Sequence, residues 1–143
     1  MELKHIDEIL KKKGVYVGGI EGDSMMPMLR QETDRVIVET PKRKPKKYDV
    51  VLYKRGERYV MHRIVKVCGK NRYVIRGDNR INNERDITTE RIIGIMTGFF
   101  RENKLIEVTD EKYLKYVKKI VRAYYPRKFY YYYFTILKKL HLR

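Results

Sequence analysis

Cysteine is nearly missing from this chain. Cys68 stands alone among 143 residues, which excludes an internal disulfide. With three scattered histidines it offers no spacing that resembles a zinc or iron site, and it reads as a small buried hydrophobe beside Val67. The nine glycines form no phosphate-cradling loop. The expected chemistry therefore needs neither metal nor cofactor.

Long apolar runs are missing too. A membrane-spanning helix needs about 20 predominantly apolar residues, whereas the first 23 residues include Glu2, Lys4, Asp7, Glu8 and lysines at 11–13. The apolar core of about 7 to 15 residues that marks a secretory signal is absent as well. The chain is accordingly expected to stay in the cytoplasm.

Acidic residues are scarce, 18 against 34 Lys and Arg, for a formal net charge of +16. From residue 112 onward there are ten Lys or Arg and no Asp or Glu. The nine residues 129–137, Phe-Tyr-Tyr-Tyr-Tyr-Phe-Thr-Ile-Leu, are too few to span a bilayer as a helix, but a basic, tyrosine-rich helix suits the headgroup region. Anionic lipid attracts such a segment by about 1 kcal/mol per basic residue. Peripheral contact with the inner membrane face is one expectation, and packing of the tail on the rest of the protein is the other. The basic cluster at 42–47 reads as a solvated loop.

With 43% hydrophobic residues, a chain this long can bury the core of a single domain. The pattern gives a short charged helix over 5–13, then strands over 15–20, 35–40, 49–54, 58–67, 72–76 and 92–101, with 104–108 closing the sheet. Asp110 and Glu111 precede a helix whose apolar face is Tyr113, Val117, Ile120, Val121 and Tyr124, ended or kinked by Pro126. A mainly β unit over 1–109 followed by a basic, tyrosine-rich helical extension over 110–143 is expected.

Three short motifs carry chemistry: Gly22-Asp23-Ser24-Met25-Met26-Pro27-Met28, Tyr59-Val60-Met61-His62-Arg63-Ile64-Val65 and Gly77-Asp78-Asn79. A serine hydroxyl needs a base to become a nucleophile, and a histidine with a pKa of about 6.5 suits that task. His62 is the best placed, since His5 and His141 lie near the chain ends. A strand over 59–67 points His62 to one face and Met61 and Arg63 to the other. Ser24 falls at a sharp turn that exposes its hydroxyl, and its N–H is positioned to help hold an oxyanion. A carboxylate on His62 would set its tautomer, a role open to Asp78 and to Asp86. If His62 is the base, activity falls as pH drops through its pKa, somewhere between about pH 5 and 8. Singly, each motif is ordinary: a turn serine, a structural histidine, a Gly-Asp-Asn turn. Their conjunction and order favour catalysis.

That conjunction resembles the signal peptidase I family, in which the serine of such a Ser, Met and Pro motif is the nucleophile. It is most similar to the archaeal and endoplasmic-reticulum branch, where His precedes Arg and the bacterial branch has Lys. The likeness covers roughly residues 18–99. It includes Tyr48-Asp49-Val50-Val51, similar to the family's G-D-V-V strand with Tyr48 replacing Gly, and the Ile-Ile-Gly strand within 87–96. Glu84 stands roughly where that branch carries its orienting carboxylate, so the third residue is open among Asp78, Asp86 and Glu84. The resemblance implies a coiled β-sheet or barrel, and an extended leader or precursor peptide bound beside edge strands. Met25, Met26, Pro27 and Met61 are the expected substrate contacts. It also implies small residues before the scissile bond.

The family's transmembrane helix before the serine motif is missing, so an exported preprotein at the translocon is not the expected substrate. A non-catalytic peptide-binding module on the same fold is one rival. Nucleic-acid binding through the basic tail is another. Self-cleaving repressors and mutagenesis proteins of the bacterial damage response are also relatives of that fold, but they use a Ser-Lys pair where this chain has His62.

Overall fold

The computed structural model describes residues 5–140, so His141 lies outside the described residues. A short helix α1 (Ile6–Lys13) leads into β1 (Val15–Gly18), β2 (Asp34–Glu39), β3 (Val50–Arg55), β4 (Arg58–Cys68), β5 (Arg72–Arg76), β6 (Glu84–Thr88), β7 (Ile92–Arg101) and β8 (Lys104–Glu107). Two helices follow, α2 (Glu111–Arg122) and α3 (Tyr124–Lys139).

All eight strands join one antiparallel sheet in the order β1-β2-β7-β3-β4-β5-β6, with β8 on β7. Along one edge β7 pairs with β3 through Ile92, Gly94 and Ile95 and then with β8 from Gly98 to Arg101. Its other edge follows β2. No pairing joins β1 to β6 among the described residues, so this is an open sheet rather than a closed barrel.

Alternation along β3 explains why Val50-Val51-Leu52-Tyr53 is apolar throughout. Val50 and Leu52 enter one core while Val51 and Tyr53 enter a second on the opposite face. The first core gathers Ile6 and Leu10 of α1, Met25, Met28 and Leu29 of the serine turn, and Tyr113 and Val117 of α2. The second holds Ile64, Tyr73, Ile75, Ile87, Ile92 and Ile95. Through Tyr113 and Val117, α2 shares one core with the sheet.

Three further expectations change. β6 carries Glu84, Arg85 and Asp86 in five residues, and so gives no apolar alternation from which to read it. Pro126 does not end a helix; it falls in the first turn of α3, where its missing N–H breaks no helical bond. Asp110 occupies the N-cap position of α2, yet its carboxylate accepts from Glu107 N–H at 2.9 Å instead of capping the helix. Cys68 is half-buried at the end of β4. Among the described residues, no helix is long and apolar enough to cross a membrane.

Candidate active site

Ser24 sits in a turn held from both sides. Met25 and Met28 are buried in the core beneath it, Leu29 N–H bonds back to the Met25 carbonyl at 3.0 Å, and the Met26–Pro27 peptide is cis. The Gly77-Asp78-Asn79 turn clasps the other side. Asn79 N–H donates to the Ser24 carbonyl at 2.8 Å, Asn79 Nδ2 to the Asp23 carbonyl at 3.2 Å, and Asp78 N–H to Met25 Sδ at 3.4 Å. Arg80 adds an ion pair with Asp23 at 2.7 Å. Two motifs, joined through Met25 and Asp78, 53 residues apart in sequence, thus form one loop cluster.

His62 arrives from β4 beneath that cluster. A β-carbon added to Gly77 would lie 2.6 Å from the Ser24 carbonyl oxygen and 3.2 Å from His62 Nε2. Glycine is required there because serine turn and imidazole close on the same point. Ser24 and His62 also line one cleft of about 240 Å³, shared with Met25 and Met61 and floored by Leu29, Val36, Val38 and Leu52. Met26 and Pro27 are exposed and do not line this cleft. Among the described residues the Ser24 hydroxyl makes no hydrogen bond, to His62 or to any other group. His5, exposed and paired with Glu8 at 3.6 Å, plays no part.

Burial pushes His62 down to about 4, helped by the charges of Arg55 and Arg80 and opposed by Glu84 and Asp78. The imidazole is therefore neutral at physiological pH, with a lone pair available to accept a proton.

Neither aspartate orients it. Asp78 is buried, and its Oδ1 accepts from Arg63 Nε while Oδ2 accepts from Arg63 Nη2 and Tyr116 Oη, each at 2.8 Å. The charge of Asp78 outweighs the cost of burying Arg63 and raises the guanidinium above its ordinary value. Asp86 is displaced by a β-bulge: Ile75 pairs with Glu84 and Tyr73 with Ile87, leaving Arg85 and Asp86 opposite Val74 alone. Asp86 takes a left-handed φ of 60° and faces solvent beside Arg72 at 3.8 Å. Tyr48 has a φ of 78°, and its carbonyl accepts from Arg63 Nη1 at 3.0 Å.

A residue that sequence reasoning passed over lies beside the imidazole. Tyr53 Oη stands 3.5 Å from His62 Nδ1 and donates to Glu84 Oε2. Only its place in an unbroken apolar strand is visible in the sequence, and that signals core, not site.

Helix residues brace the loop cluster from outside. Tyr124 Oη donates to the Ile81 carbonyl at 2.9 Å, Arg127 Nη1 to the Asp78 carbonyl at 2.8 Å, and the Arg76 guanidinium stacks 3.3 Å from the Tyr124 ring centre. Among the described residues no His, Cys, Asp and Glu side chains gather as a metal site. No family model matches the chain, and no curated protein and no solved structure matches it.

Proposed function

We propose that this chain is a serine endopeptidase of the signal-peptidase type that cleaves leader or precursor peptides. The observation that carries this reading is that Ser24 and His62 line one cleft, with the Ser24 carbonyl and His62 Nε2 both close against Gly77. Ser24 Oγ adds to the scissile carbonyl as its proton passes to His62 Nε2. The imidazolium then returns that proton to the leaving amine, and water repeats the cycle on the acyl-enzyme. No cofactor enters these steps.

The peptide runs extended beside β4. Strand β5 pairs with β4 only from Arg63 onward, so residues 58–62 have a strand neighbour on one side only among the described residues. Main-chain bonds along that edge give affinity, and the apolar floor receives the side chains before the cleaved bond. Arg55, Arg58 and Arg80 line the same cleft and favour a substrate with acidic or carbonyl-rich flanks.

The tail supports placement at the inner face of an anionic membrane. Tyr125, Phe129, Tyr130 and Phe134 of α3 are each at least 60% exposed, and no acidic residue follows Glu111. Large aromatic groups next to lysine and arginine fit the headgroup layer.

Cleavage of a short-peptide library, with products sequenced by mass spectrometry, tests the enzyme assignment against Ser24→Ala and His62→Ala. Loss of cleavage in both variants is the expected result. Peptides that bind all three proteins without being cut would replace the enzyme with a peptide-binding module.

A further inference from the structure

We propose that Tyr53 is a positioning residue that carries the charge of Glu84 to His62, so that the orienting group of this site is a Tyr-Glu relay instead of a directly bonded aspartate. This rests on the peptidase reading of Ser24 and His62.

Donor and acceptor counting carries the inference. Glu84 lies between Arg55 and Tyr53; burial opposes its charge, but hydrogen bonds from Arg55 and Tyr53 outweigh that and hold it below its ordinary value. An ionised carboxylate only accepts, so the single Tyr53 proton belongs to Glu84. Tyr53 Oη keeps two acceptor positions. Arg55 Nη2 fills one at 3.2 Å, and His62 Nδ1 faces the other at 3.5 Å. Nδ1 must then be the protonated nitrogen, which leaves the Nε2 lone pair beside Gly77 and the Ser24 turn. Glu84 thereby selects the tautomer that general-base catalysis needs.

The same geometry answers a difficulty in the mechanism. An imidazole with a pKa near 4 is a weak base, because its charged form is buried. When Nε2 takes the serine proton, the new positive charge faces Arg55 and Arg80, both repulsive, with Asp78 and Glu84 attractive. Asp78 is already engaged by Arg63. Through Tyr53, the Glu84 carboxylate supports the imidazolium without a proton leaving Tyr53. The tyrosine stays protonated, since burial and the adjacent carboxylate both raise it.

Position follows from the bulge in β6. Glu84 and Ile87 are three residues apart and would face opposite sides of a regular strand. The extra residue places both on the face that holds Tyr53: Ile87 in the second core, and Glu84 at the tyrosine hydroxyl.

The test uses full-length protein labelled with ¹⁵N at histidine, beside Tyr53→Phe, Glu84→Gln and the double variant. The imidazole ¹⁵N shifts of His62 near pH 7 report the Nδ1–H tautomer in wild type and a shift toward Nε2–H in each variant. On library-derived peptides, kcat falls roughly 10- to 100-fold with KM little changed. The double variant falls no further than either single one, which a mere packing defect would not produce. If Tyr53→Phe does not fold, Glu84→Gln alone decides, because Glu84 lies outside the core clusters. An unchanged tautomer and an unchanged kcat in Glu84→Gln overturn the relay while leaving Ser24 and His62 as they are. An Nδ1–H tautomer that depends on Glu84 in a protein that cuts no peptide would uphold the relay and sink the peptidase reading.

Discussion

Arg63 and Asp78 form a two-point ion pair, both contacts at 2.8 Å, with side chains only 1% and 3% exposed. Because Arg63 follows His62 on β4 and Asp78 follows Gly77, this pair locks β4 to the loop that clasps the serine turn. Desolvating two charges is costly, and removing one partner leaves the other buried without compensation. Asp78→Asn is therefore expected to lower unfolding stability by about 3–5 kcal/mol. Urea denaturation of the two proteins checks this, and a loss below 1 kcal/mol would mean that the loop is held mainly by Tyr116, Tyr124 and Arg127.

If His62 is the base, stability and activity depend on pH in ways that separate. Its folded value of about 4 lies below the ordinary 6.5, so the unfolded chain binds more protons between those values. Stability is thus lost as pH falls from about 6.5 to 4, by about 3 kcal/mol from this group alone. His62→Gln should flatten that part of the urea midpoint against pH, and the difference between the two proteins isolates it from the carboxylates. For cleavage, kcat/KM should stay level through neutral pH and fall near pH 4, where Nε2 becomes protonated. An acid limb centred above pH 6 would mean that the imidazole is better solvated than its burial implies.

Gly77 has an ordinary backbone angle, and a methyl group there is excluded only by what it would touch. Backbone oxygen of Ser24 at 2.6 Å cannot rotate away as a flexible side chain would, so the serine turn or the imidazole must move. Gly77→Ala is expected to cost about 1–3 kcal/mol in stability as overpacking. Displacement near 1 Å at the reacting groups is expected to lower kcat/KM about 100-fold. Full activity with a shifted melting temperature would show that Ser24 and His62 do not act together across this glycine.

What the sequence made legible is whatever periodicity and residue chemistry mark locally. The strand bearing His62, the split of His62 from Met61 and Arg63, and the apolar face of α2 all follow from spacings of 2 and 3.6 residues. Burial follows that face, with Tyr113 and Val117 buried and Ile120 and Val121 half-buried, while Tyr124, read as its last member, is buried as the first residue of α3. Which carboxylate lies near the histidine was not legible, because Asp78, Asp86 and Glu84 all stayed open in sequence. What separates them is tertiary: Arg63 engages Asp78, and a bulge turns Asp86 to solvent. Tyr53 was hidden by its apolar neighbours, since the hydroxyl matters only once β6 brings Glu84 against it.

The two C-terminal helices should separate cleanly by truncation. Tyr113 and Val117 of α2 are 7% and 5% exposed in the first core, and losing both side chains costs about 5 kcal/mol, enough to unfold a marginal domain. A chain ending at residue 109 is therefore expected to lose its cooperative melting transition. One ending at residue 128 keeps α2, Tyr124 and Arg127, hence the brace on the Ile81 and Asp78 carbonyls, and should melt and cleave peptides as the full chain does. It lacks the exposed Phe129, Tyr130 and Phe134 and two of the tail lysines, Lys138 and Lys139. Flotation with phosphatidylserine-containing liposomes should recover the full chain and not this shorter one, with binding that weakens as salt is added. If both float equally, the membrane contact does not lie on the aromatic face of α3; if neither floats, that face serves something other than lipid.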